Sequence, residues 1–227
     1  MLHTIKLLLR KWCNLLNRPA IYFIMGTGNA RKRDPLVLLE QALIGGISHF
    51  QLREKGPEAL TGIALKRFAL ECQRLCKAHR VPFIVNDDVE LAIDIGADGV
   101  HIGQDDLLCE LVRYRIGKEK VLGVSVHSME EAKCAVEAGA NYLGMGPVFR
   151  THSKVDAKEP VGVNKIMEVS RQYPEIPIVG IGGITPDNAE TVWKAGVFGI
   201  AVISALADAE DVIGEVNRFK ALSERGR

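Results

Sequence analysis

From Ile21 onward the chain alternates eight times between a short apolar run and a longer stretch of helical periodicity, a rhythm that few folds accommodate. The runs lie at 21–25, 47–52, 82–86, 99–103, 121–125, 141–146, 176–182 and 198–204. Bounded by Gly, Pro or Asp, they read as buried strands. The stretches that follow them, at about 34–45, 58–79, 88–95, 105–116, 128–138, 162–173, 186–195 and 208–222, read as helices.

A weak internal repeat supports this count. Gly45-Gly46, Gly96, Gly139 and Gly196 each stand just past a helical stretch and just before an apolar run. Glycine there takes the left-handed cap conformation and lets the chain turn into the next strand. Asp34-Pro35 and Pro186 mark helix starts. Eight strand–helix units predict a parallel sheet covered by helices, and eight is the number that closes a (β/α)8 (TIM) barrel. An open doubly wound sheet is the alternative. No GxGxxG follows the first run, where MGTGNA stands instead, so nothing marks a dinucleotide site.

Residues 1–18 precede this pattern. Ile5, Leu8, Leu9, Trp12, Leu15 and Leu16 recur at helical spacing, and the uninterrupted apolar run is only Leu7–Leu9. That is too short for a signal segment or a membrane span. The expectation is an α/β protein, with an extra amphipathic N-terminal helix over 1–18 and one barrel domain over 19–227. A hydrophobic content of 47% fills a core, and a net charge of +1 offers no overall attraction for nucleic acid. Five cysteines with no CxxC pair point to a reduced, cytoplasmic protein, with Cys72 and Cys76 on one helix. Small molecules are the expected partners, without nucleic acid or membrane; the oligomeric state is left open.

In such a barrel the chemistry sits at the C-terminal strand ends, and the unusual polar residues fall there. Gln51, Arg53 and Lys55 alternate along FQLREK, so all three share one strand face. Asn86, Asp87 and Asp88 follow the third run; His101, Gln104, Asp105 and Asp106 accompany the fourth; Ser125 and His127 the fifth. A long polar loop, 146–160, follows the sixth, Gly182-Gly183 the seventh, and Ile203-Ser204 close the eighth. Plainer readings stand beside these. Arg53 and Lys55 can pair with Glu54 or Glu58. One of Asp87 and Asp88 is enough to cap a helix, and Asp105 and Asp106 invite the same reading. His101 suits the core, and His127 and His152 suit solvated loops.

Arg53, Lys55 and Lys154 can hold a polyanion, while Gly183 and Ser204 suit a smaller phosphate, as do the last two loops of this fold generally. Mg2+ prefers one or two carboxylates plus phosphate oxygens, which one Asp from each of the third and fourth strand ends would supply. No zinc motif, Ser-His-Asp arrangement or GxSxG is visible. The pattern implies a diphosphate held with Mg2+ beside a phosphate.

FQLREK, VNDD, HIGQDD, GVSVH, GMGPVFRTHSKVDA, GIGGI and VISA occur in this order at the strand ends. Together they resemble the thiamine-phosphate synthase (thiamine-phosphate pyrophosphorylase) family in its bacterial single-domain form, from about Ile21 to about Arg218. The resemblance implies a transferase of thiamine biosynthesis. It would join 4-amino-5-hydroxymethyl-2-methylpyrimidine diphosphate to 4-methyl-5-(2-hydroxyethyl)thiazole phosphate, with Mg2+, giving thiamine phosphate and diphosphate.

By motif, Gln51, Arg53, Lys55, Asn86, Ser125 and Lys154 would serve the pyrimidine diphosphate, with Arg53, Lys55, Ser125 and Lys154 catalytic. Asp87 and Asp106 would hold Mg2+. Thr151, Ser153, Gly183, Ile203 and Ser204 would contact the thiazole phosphate. The family pattern Thr-x-Thr-Lys here reads Thr151-His152-Ser153-Lys154, which keeps the hydroxyl. A thiazole tautomerase of the same barrel family is the nearest rival, but it has no use for the diphosphate cluster.

Overall fold

Eight parallel strands close on themselves. The computed structural model describes residues 19–30, 33–104, 106–151, 153 and 158–225. The strands are β1 (Ala20–Met25), β2 (His49–Leu52), β3 (Phe83–Asn86), β4 (Gly99–Ile102), β5 (Val121–Val126), β6 (Tyr142–Met145), β7 (Ile178–Ile181) and β8 (Gly199–Val202). Each pairs in parallel with its neighbour in sequence, and β8 returns to β1 with Ile21 opposite Ile200. The fold is the expected (β/α)8 barrel rather than an open sheet. The N-terminal helix expected over 1–18 lies outside the described residues.

The helices are α1 (Thr27–Ala30), α2 (Pro35–Gly45), α3 (Gly62–Ala78), α4 (Val89–Asp94), α5 (Cys109–Ile116), α6 (Met129–Glu137), α7 (Gly162–Gln172), α8 (Ala189–Lys194), α9 (Ser204–Ala207) and α10 (Val212–Arg225). Local chemistry sets their ends. Asp34 caps α2 by accepting from the Leu36 amide at 2.8 Å. Gly46, Gly96, Gly139 and Gly196 take φ of 88°, 66°, 89° and 82°, so the repeated glycine is the left-handed turn out of a helix.

Strand alternation splits the interior into two layers. Phe23, Phe50 and Phe83 face the helices and pack ring against ring across β1, β2 and β3, with centroids 6.0 Å apart at each step. Tyr22, Ile24, Ile84, Tyr142, Val179 and Ala201 fill the barrel itself.

Two differences from the sequence reading bear on the site. The helix expected from 105 begins at Cys109, because the chain after β4 first loops back, with the Asp106 carboxylate accepting from the Gly103 amide at 2.6 Å. The short helices α1 and α9 follow β1 and β8 at the C-terminal mouth, where the periodicity predicts no helix.

Candidate active site

Phe50 and Leu52 point outward into the helix layer and Gln51 faces the barrel interior, while Arg53 and Lys55 follow just past the end of β2. Arg53 and Lys55 line a cleft at the mouth, which encloses about 1210 Å³ including its open side. Gln51 lies lower, 2% exposed, and donates from Nε2 to the Tyr22 hydroxyl at 3.2 Å.

Glu54 turns to the neighbouring loops instead. Its carboxylate accepts from the Thr27 amide at 2.8 Å, from the Thr27 hydroxyl, and from the Leu60 amide at 3.0 Å. It therefore ties the loops after β1 and β2 together. Lys55 forms its ion pair across the mouth with Asp87.

The two adjacent aspartates after β3 divide their work. Asp88 caps α4, its carboxylate accepting from the Leu91 amide at 2.9 Å. Asp87 has φ 61°, in the left-handed region that Asp tolerates better than most residues, and its amide donates to the His101 carbonyl at 2.8 Å. Its carboxyl faces the cleft beside that of Asp106. Burial pushes the Asp87 carboxyl above its usual range; the Lys55 ammonium opposes this and the Asp106 carboxyl adds to it.

Two carboxyls brought together beside a single ammonium fit a divalent cation, which would relieve their repulsion. Among the described residues no group of three or more His, Cys, Asp or Glu gathers for a metal. Mg2+ needs only one or two carboxylates when phosphate and water oxygens complete its shell, so Asp87 and Asp106 could hold it.

The opposite side of the cleft is built on backbone. Gly182 and Gly183 have φ of 98° and 65°, and the Val148 and Phe149 amides donate to the Ile181 and Gly182 carbonyls at 2.8 and 3.0 Å. A Cβ on Gly183 would stand 2.5 Å from the Arg150 carbonyl oxygen, so both conformation and space demand glycine. Asn188 steadies the turn, donating to the Gly183 carbonyl at 2.9 Å while accepting from the Thr185 amide at 2.9 Å. Ser153 Oγ donates to Ser204 Oγ at 3.1 Å, joining the loop after β6 to the start of α9.

The cleft thus brings together Arg53, Lys55, Asn86, Asp87, Asp106, Ser125, Thr151, Ser153, Gly183, Ile203 and Ser204. Gln51 sits beneath this lining. Lys154, Asp105 and His152 lie outside the described residues.

Lys158, Gly144 and Thr185 also line the cleft and were not singled out in the sequence. A lysine in a polar loop carries no signal of where it will point. His101 is buried, as its apolar flanks suggested, yet its ring reaches Ser125 Oγ at 2.8 Å. Gln104 holds the same residue from the other side, donating to the Ser125 carbonyl at 2.6 Å. His127 turns to Glu131, which accepts from the His127 amide at 2.5 Å.

Comparison with known proteins bears on the family of the whole chain. The profile of the family described as thiamine monophosphate synthase matches residues 21–206. A thiamine-phosphate synthase of Lysinibacillus sphaericus is 54% identical over 203 residues, covering 89% of this chain and 95% of that protein. One from Geobacillus kaustophilus is 55% identical over 192 residues, covering 85% and 86%. A solved thiamine phosphate pyrophosphorylase from Pyrococcus furiosus superposes with a TM-score of 0.82 at 33% identity, covering 94% of this chain and 99% of that one. A geranylgeranylglyceryl phosphate synthase from Thermoplasma acidophilum, at 15% identity and a TM-score of 0.68, shares the fold alone. A match running from β1 into the last strand–helix unit, with more than half the residues identical in close relatives, settles the family: this chain is a member of the thiamine monophosphate synthases.

Proposed function

We propose that this chain joins 4-amino-5-hydroxymethyl-2-methylpyrimidine diphosphate to 4-methyl-5-(2-hydroxyethyl)thiazole phosphate, and that it does so dissociatively. The observation that carries the reading is the single cleft with two unlike ends. Arg53, Lys55, Asn86 and the paired carboxyls Asp87 and Asp106 stand at one end; Thr151, Ser153, Ser204 and the Gly182-Gly183 backbone stand at the other. The first end suits a diphosphate and the second a monophosphate.

In this reading the pyrimidine CH2–O bond breaks and its electron pair leaves with the diphosphate. The ring's amino group stabilises the resulting cation. The thiazole nitrogen then attacks with its lone pair. That nitrogen carries no proton, so no general base is required, and the residues serve electrostatics and positioning instead. Arg53 and Lys55 offset the charge gathering on the departing diphosphate, and Lys154 belongs to the same cluster by motif. Lys158 adds a positive charge to the cleft wall. Asp87 and Asp106 would hold Mg2+, which would neutralise diphosphate charge and make it a better leaving group.

Thr151, Ser153, Gly183, Ile203 and Ser204 would seat the thiazole phosphate and so fix the direction of attack. Ser125 would stand near the reacting centre. Gln51 would serve the pyrimidine from below. The reduced, cytoplasmic setting belongs to the same proposal, and the four cysteines among the described residues are free.

The test mixes the purified chain with both substrates and Mg2+ and oxidises the product to fluorescent thiochrome phosphate. Signal that needs both substrates and disappears with EDTA is the expected result. A folded protein that gives none, yet isomerises the thiazole phosphate, would move the assignment to the tautomerase.

A further inference from the structure

A row of polar side chains runs through the inside of the barrel and ends on the cleft wall. Gln51 Nε2 stands 3.2 Å from Tyr22 OH, and Tyr22 OH stands 2.7 Å from Tyr142 OH. Tyr142 OH is 2.8 Å from His101 Nδ1, and His101 Nε2 is 2.8 Å from Ser125 Oγ. Four different strands supply the tyrosines, glutamine and histidine, and a fifth supplies the serine. The phenols are 1% exposed and the imidazole 8%.

Space has been cleared for this row. A Cβ on Gly123 would stand 2.2 Å from the Tyr142 ring, and one on Gly144 would stand 3.0 Å from His101 Cε1. Barrel interiors are usually filled with branched aliphatic side chains. Buried polar groups are costly unless their hydrogen bonds are made, so a polar row with glycines making room for it calls for a function.

Either phenol can donate to the other and either His101 nitrogen can carry the ring proton, so the row can run in two directions. Burial raises both tyrosines well above their ordinary range, so each phenol keeps its proton. In one polarity Gln51 donates to the Tyr22 oxygen and the Tyr22 hydrogen goes on to the Tyr142 oxygen. Tyr142 then donates to His101 Nδ1. An imidazole that accepts at Nδ1 carries its proton at Nε2, and that proton goes to Ser125 Oγ. The serine's own hydrogen is left to point into the cleft that Ser125 lines.

We infer that Tyr142 and His101 are positioning residues that hold Ser125 as a hydrogen-bond donor to an acceptor atom of the bound substrate. This rests on the proposed function for what occupies the cleft, but the polarity of the row does not. Reversed polarity would place the His101 proton on Nδ1 and turn the serine hydrogen back into the protein, leaving the substrate to face lone pairs.

The first experiment needs neither a variant nor activity. Long-range 1H–15N correlation spectra of the full-length 15N-labelled chain at neutral pH report which ring nitrogen of His101 is protonated, with His101→Gln used for assignment. The expected result is a single Nε2–H tautomer; an Nδ1–H tautomer overturns the inference.

The second experiment is kinetic. Tyr142→Phe removes the donor to Nδ1 and should lower kcat ~10- to 100-fold, the usual cost of losing an outer hydrogen-bond partner, with KM for the pyrimidine diphosphate within about 3-fold of wild type. In a Ser125→Ala background the same change should cost less than ~3-fold, because the group it positions is gone. A full additional loss there overturns the inference. A wild-type chain without synthase activity but with the Nε2–H tautomer refutes the functional reading and upholds the polarity; an active enzyme with the Nδ1–H tautomer does the reverse.

Discussion

Gly123→Ala is the smallest substitution that should break the barrel interior. Gly123 faces Tyr142 across β5 and β6, which pair there directly. The added methyl would stand 2.2 Å from Tyr142 Cζ and 2.4 Å from both Cε1 and OH, well inside ordinary contact. The ring would therefore have to move by roughly 1 Å or more to restore normal packing. It has little room to do so, with Tyr22 at a centroid distance of 5.9 Å and His101 at 5.4 Å.

Overpacking a filled core costs about 1–3 kcal/mol. The displacement also strains the Tyr142 bonds to Tyr22 and His101, worth about 1 kcal/mol each. The sum, about 3–5 kcal/mol, is a large share of a typical folding stability of about 5–15 kcal/mol. At about 2–4 °C per kcal/mol for a chain of this size, Tm should fall by roughly 6–20 °C.

Urea denaturation and a thermal melt measure this. Gly28→Ala is the control, since nothing lies within 4 Å of its Cβ position, and it should stay within about 0.5 kcal/mol of wild type. In a Tyr142→Leu background, which takes away the ring, Gly123→Ala should cost under about 1 kcal/mol. A Gly123→Ala protein as stable as wild type, or one equally destabilised without the ring, would refute the packing argument.

Other expectations concern charge. Lys55→Met and Asp106→Asn should each lower kcat/KM ~100- to 1000-fold in the thiochrome assay, the usual cost of removing one preorganised electrostatic contact; near-wild-type turnover in both would sink the assignment of the first end of the cleft. The neighbouring aspartates should separate cleanly. Asp88→Ala removes the α4 cap and should cost about 1 kcal/mol of stability by urea titration with turnover retained, whereas Asp87→Asn should lose turnover while keeping the fold. His49 is fully buried, and burial depresses its imidazole from 6.5 to about 3. The unfolded chain therefore takes a proton that the folded one refuses, so stability should fall as pH drops from 6.5 toward 3, by at most about 1.4 kcal/mol per pH unit from this group. His49→Gln should flatten that acid limb; an unchanged slope would show that the imidazole titrates freely in the fold.

Much of this molecule was readable in one dimension because its determinants are local. Helix periodicity, the left-handed glycines at 46, 96, 139 and 196, and the Asp34 cap each involve a few consecutive residues, and together they specified the strand–helix repeat. The same holds for Gln51, whose inward direction follows from alternation with Phe50 and Leu52 along β2. Where the sequence reading slipped, something non-local intervened. The chain from 105 reads as the start of a helix, but Asp106 bonds back to Gly103 and the helix begins only at Cys109.

The sequence by itself thus determined the (β/α)8 order, the strand-end placement of the polar residues and, through the motif series, the family. Only the tertiary structure decided where Lys158 points and that Gln51 lies below the lining rather than in it. It alone brought Tyr22 to Tyr142 across 120 residues of chain and linked His101 to Ser125. The physical reason is barrel closure. Which inward side chains meet depends on the register of β1 on β8 and of β5 on β6, on the space left by Gly123 and Gly144, and on where each buried hydrogen can be donated, and none of these is a property of neighbouring residues in the chain.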